Sequence, residues 1–135
     1  MESADSYSRL LRILILVGGV FELMMGIVIL VAGDWVVSST GGSPVPVFAL
    51  YWRTLGLLAI ALGGLQIHAS RNPERYIAIP IAASLVRVFL PILTGLQLME
   101  SPSMSIALIL STAFDFALAL VTLVLLYMLG LLRNK

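Results

Sequence analysis

The chain has 135 residues, 60% of them hydrophobic and only 11% charged, with a mean hydropathy of +1.07. That composition excludes an ordinary soluble domain and points to an integral membrane protein. Eight basic against seven acidic residues leave a formal charge of +1 and no basic field to hold nucleic acid, and the absence of cysteine excludes disulfides, thiolate metal sites and S-palmitoylation together.

Residues 1–8, MESADSYS, read as a short polar tail. Arg9 and Arg12 then lead into the first expected span, about 10–32. A basic start followed by an apolar run resembles a secretory signal, yet this run exceeds the ~7–15 apolar residues usual there and carries Glu22. Val31-Ala32-Gly33 is a weak cleavage match, so the segment is expected to stay as a helix. Gly18, Glu22 and Gly26 recur every four residues and share one helical face. Glycines there let a neighbouring helix approach closely and shield the carboxylate from lipid. Met24-Met25 reads as packing rather than as copper or haem ligands.

Gly33-Asp34 is expected to end this span, and the loop that follows contains Gly41-Gly42, two prolines and no Lys or Arg. Trp35, Tyr51 and Trp52 have the amphipathic character of residues at a headgroup boundary. The second expected span, about 47–69, sets Arg53, Gly56, Ile60, Gly63 and Ile67 along one stripe, and Ala59 and Gly63 form a small-residue packing pair. Gln66 and His68 fall near its far end, and His68, the only histidine, reads as an interfacial group rather than a ligand.

Asn72-Pro73-Glu74 is a helix start, with Asn as N-cap, Pro at the first helical position and an acid in the first turn. The third span, about 75–99, carries Arg87 near its middle and contains Pro80 and Pro91, both able to kink it. Ser101-Pro102 repeats the start signal. A fourth span, about 103–131, presents Ser111, Asp115, Ala119 and Thr122 on a polar, small face, and residues 133–135 form a basic tail with Arg133 and Lys135. The expected fold is an all-α integral membrane protein, a four-transmembrane-helix bundle forming one domain over 9–132. Basic residues fall on alternate connections, which predicts cytoplasmic location of both termini.

An isolated arginine in hydrocarbon costs at least ~2.5–3.5 kcal/mol, so Arg87 requires an anion at its depth. Counting ~1.5 Å per residue from the cytoplasmic ends places Glu22 and Arg87 at roughly 15–18 Å and Arg53 and Asp115 at about 24–26 Å. The pairs expected are therefore Glu22 with Arg87 and Arg53 with Asp115. Such pairs fix helix register, or else a carboxylate among them binds or relays a proton or cation. Trp35, Trp52 and Arg53 form a candidate outer pocket for a lipid or quinone.

The stretches LLRILILVGGVFELMMG and RTLGLLAIALGGL resemble the broad group of small DoxX-like four-helix bacterial membrane proteins. That resemblance covers about a third of the chain and carries no functional residue, so no role is transferred. The sequence has no HExxH, GxSxG or phosphate loop. The function expected is that of a non-catalytic protein without metal or cofactor, in a bacterial or archaeal cytoplasmic membrane. It would act by helix packing, as an accessory subunit of a membrane complex or as a homo-oligomer. A small proton- or ion-coupled transporter or channel, and a lipid- or quinone-binding protein, are the alternatives.

Overall fold

The computed structural model is all-helical and describes residues 2–39, 46–100 and 106–131. Its helices are α1 (Glu2–Ser39), α2 (Pro46–Ser70), α3 (Ala78–Glu100) and α4 (Ile106–Met128). The glycine turn at Gly41-Gly42, the cap at Ser101-Pro102 and the basic tail lie outside the described residues, as does the side chain of Trp52.

Helix α1 is longer at both ends than its apolar run. It takes in residues 2–8, where a polar tail was expected, because Glu2 and Asp5 favour a helix N-terminus and neither Gly nor Pro interrupts the first twelve residues. At the other end Gly33-Asp34 does not stop it. The backbone leaves helical geometry at Ala32 (φ −123°, ψ 30°), and the chain kinks there and continues to Ser39.

Helices α1 and α2 run antiparallel in the closest packing of the molecule. Gly19 and Gly26 of α1 face Gly63 and Gly56 of α2, so that backbone lies on backbone. A methyl carbon added at Gly26 would sit 2.7 Å from the Gly56 carbonyl oxygen, and one at Gly63 would sit 2.6 Å from the Leu23 nitrogen. Helices α3 and α4 form a second pair, and looser contacts of α1 with α4 and α2 with α3 close the ring. Two hairpins thus stand side by side, with α1 and α3 at opposite corners.

The link between the hairpins is built by Asn72 and Pro80. Asn72 Oδ1 accepts the Arg75 N–H (3.3 Å) and its carbonyl accepts the Tyr76 N–H (3.2 Å), which begins a turn. Pro80 has no N–H to give to the Tyr76 carbonyl four residues earlier, and the Ile79 N–H takes that acceptor instead at 3.0 Å. Residues 71–77 are therefore turns, and α3 begins at Ala78 instead of near residue 75. Helix α4 stops a turn before Leu132. Gly130 adopts φ +69°, the Leu131 N–H bonds the Leu126 carbonyl at 3.1 Å and the Gly130 N–H bonds that of Tyr127 at 2.9 Å, which is a Schellman cap.

The end of the bundle that carries Arg71 and Arg75 holds its apolar core: Leu11, Ile15, Ala69, Ile77, Leu125 and Leu126. Toward the middle the interior becomes polar, with Gln66, Ser84, Arg87, Thr112 and Thr122 all buried. Large apolar side chains instead cover the outside, among them Leu16, Met24, Leu58, Phe89 and Val124. Helices α1 and α4 are long and apolar enough to cross a membrane, over Asp5–Trp35 and Ile109–Met128, and Ala78–Leu93 is a shorter apolar stretch.

Candidate functional site

All four helices send a polar group to one point at mid-bundle, with Arg87 of α3 at its centre. Arg87 Nη2 lies 2.9 Å from Glu22 Oε2 of α1 and donates a second hydrogen bond to the Gly18 carbonyl at 3.1 Å. Its Nε meets Asp115 Oδ1 of α4 at 3.5 Å. From α2, Gln66 donates Nε2–H to the same Glu22 oxygen. The arginine side chain is only 7% exposed, and the two carboxylates are 18% and 14% exposed. A guanidinium suits this position because its donors form a planar fork that reaches two acids at once.

Each member is held there by its helix. Gly18 leaves room that a side chain would occupy, since an added methyl carbon would lie 2.8 Å from Arg87 Nη1. Pro91 cannot donate to the Arg87 carbonyl four residues back, so α3 loses a backbone bond at the arginine itself. One turn before Arg87, the Ser84 hydroxyl is buried without a hydrogen-bond partner among the described residues. Phe21, next to Glu22, packs edge-on against Phe114, next to Asp115, with ring centroids 5.4 Å apart.

A cavity of about 460 Å³ opens from this cluster toward the end of the bundle away from the apolar core. Its walls are Phe21, Met25 and Ile29 from α1, Leu55, Leu58, Ala59 and Leu62 from α2, and Val86 and Leu90 from α3. Glu22, Arg87, Asp115 and Ser111 supply its polar part. This is the make-up of a ligand site, mostly apolar with a few converging polar groups.

The sequence-based pairing needs one correction. Asp115 meets Arg87, not Arg53, whose side chain is exposed, so one base serves two acids. Both helix ends differ from the expected ones, with α3 starting at Ala78 and α4 stopping at Met128, so depth counted from the expected ends does not sort the charges into pairs. The cavity is also not the outer pocket expected around Trp35, Trp52 and Arg53, because Trp35 is 67% exposed and neither it nor Arg53 lines the cavity. Gln66 in the site and Gly19 in the helix packing are two residues that the spacing argument omits. Both were findable, since Gln66 lies three residues beyond Gly63 on the same face and Gly19 lies seven before Gly26. At the opposite end His68 is exposed and lies against Tyr76, with ring centroids 4.9 Å apart, while Arg75 sits 5.5 Å from the same Tyr76 ring.

No protein-family model, curated protein or solved structure matches the chain.

Proposed function

We propose that this chain is a multi-pass membrane protein with four spans and cytoplasmic termini that binds a lipophilic small molecule between its two hairpins and performs no catalysis itself. The cavity carries this conclusion. Its volume of about 460 Å³ is in the range of ligand pockets, and its polar groups gather on one part of an otherwise apolar wall. A membrane location is supported by the inverted polarity of the bundle, which buries Gln66, Arg87 and Thr122 and exposes Leu16, Phe89 and Val124. The alternation of basic and non-basic connections supports the orientation, and the compartment we propose is a bacterial or archaeal cytoplasmic membrane.

The test is native mass spectrometry of protein extracted gently into lipid nanodiscs. The expected result is a small molecule retained at one per chain and lost in Ala59→Phe, whose larger side chain fills the cavity. A stoichiometric membrane-protein partner with no retained molecule would replace this function with that of an accessory subunit. A bare homo-oligomer would replace it with one of packing alone. Proton or ion flux in liposomes that disappears in Asp115→Asn, again with no retained molecule, would make the chain a small transporter.

A further inference from the structure

We infer that the molecule bound in the cavity is a lipophilic cation, an apolar body carrying one positive charge that sits against Asp115. This rests on the cavity being a ligand site. Ionised, Glu22, Asp115 and Arg87 leave one negative charge in excess at a place where the surrounding wall is apolar. An uncompensated charge there is costly, so the site calls for a counter-charge.

The two acids are not equally engaged. Glu22 receives both Gln66 and Arg87 Nη2, and that same arginine nitrogen also serves the Gly18 carbonyl. Asp115 is reached by Arg87 Nε at the longer distance of 3.5 Å, and it faces the cavity beside Ser111, one helical turn away. Asp115 is thus the acid with capacity left for a ligand. Arg53 does not line the cavity and offers no compensating charge there. Phe21 adds an aromatic ring to the wall, and such rings attract cations through their quadrupole. A proton would cancel the excess charge without using the apolar volume, and an anionic head would double the excess. An apolar body with one positive charge satisfies both the volume and the charge.

The experiment uses two probes of nearly the same shape and opposite charge, tetraphenylphosphonium and tetraphenylborate. Each is titrated calorimetrically into the full chain in nanodiscs, with protein-free nanodiscs subtracted. The expected result is protein-dependent binding of the phosphonium at least roughly tenfold tighter than the borate, a difference of about 1.4 kcal/mol. That binding should weaken by about the same factor in Asp115→Asn and vanish in Ala59→Phe. Equal affinities, a preference for the borate, or unchanged phosphonium binding in Asp115→Asn overturns the cation while leaving the cavity as a ligand site. Absence of protein-dependent binding by either probe removes both conclusions. The comparison of the two probes on the unaltered chain does not depend on any variant folding.

Discussion

The two halves of this bundle solve opposite problems. At the basic end, Leu11, Ile15, Ala69, Ile77, Leu125 and Leu126 close the interior completely, and the link at Asn72 and the cap at Gly130 tie down the backbone around them. In the other half α1 and α2 stay in contact at Gly26 and Gly56 while the two hairpins part around a cavity, and what joins the hairpins among the described residues is a charge cluster and one aromatic contact. The difference teaches that apolar packing sets the fold at one end, whereas electrostatics holds the walls of the site at mid-bundle. Such a division suits a binding protein, since a site must be both positioned and open.

The largest effect should come from breaking the hinge between the halves. Arg87→Leu leaves Glu22 and Asp115 buried without their shared base, and unfolding in a denaturing detergent should show a loss of about 3–5 kcal/mol. Adding Glu22→Gln and Asp115→Asn to that variant should recover a large part of the loss. If the single substitution is neutral, the cluster does not hold the hairpins together.

A smaller effect separates the closed end from the open one. Leu126→Ala, at a position with no exposure, should cost about 2 kcal/mol in the same assay. That is the low end for such truncations, because in the proposed bilayer setting lipid is as apolar as leucine and the loss is one of packing. Leu58→Ala in the cavity wall, 61% exposed, should stay within about 0.5 kcal/mol. Similar costs at both positions would erase the contrast between the two halves.

Two neighbouring glycines should give effects of opposite sign, the smaller of them a gain in stability. Gly63→Ala presses a methyl group against the α1 backbone, which has no flexible atom to yield, and should destabilise by about 1–3 kcal/mol. At Gly64, the next residue, nothing lies within 4 Å, and Ala there should stabilise the helix by roughly 0.5–1 kcal/mol. A reversal of these signs would mean that Gly63 is not at the contact between α1 and α2.

Much of this was legible in the residues themselves. Of the face marked by Gly18, Glu22 and Gly26, Gly26 meets Gly56 of α2, whereas Gly63 meets Gly19 and Leu23, and Gly18 lies against Arg87. Asn72-Pro73-Glu74 reads as a helix start, but Asn72 caps only a turn there and α3 begins at Ala78. The grouping of charges was less legible, because depth counted along a helix depends on where the helix ends. Helix α3 starts at Ala78 and α4 stops at Met128, and shifts of this size are comparable with the separation between the two expected levels of charge. The cavity was not legible at all. It arises where α1 and α2 are held close by glycine while the contacts of α2 with α3 are looser, and no local pattern encodes a separation between helices.

The order in which the parts of the cluster occur along the chain has a consequence for how the protein is made. Glu22 and Gln66 both precede Arg87, and both belong to the hairpin whose glycines bring its helices together. If that hairpin forms first, the acid is held by an amide before the third segment is made. Were the chain inserted into a membrane as proposed, that order would let the arginine of the third segment enter beside a counter-ion already in place.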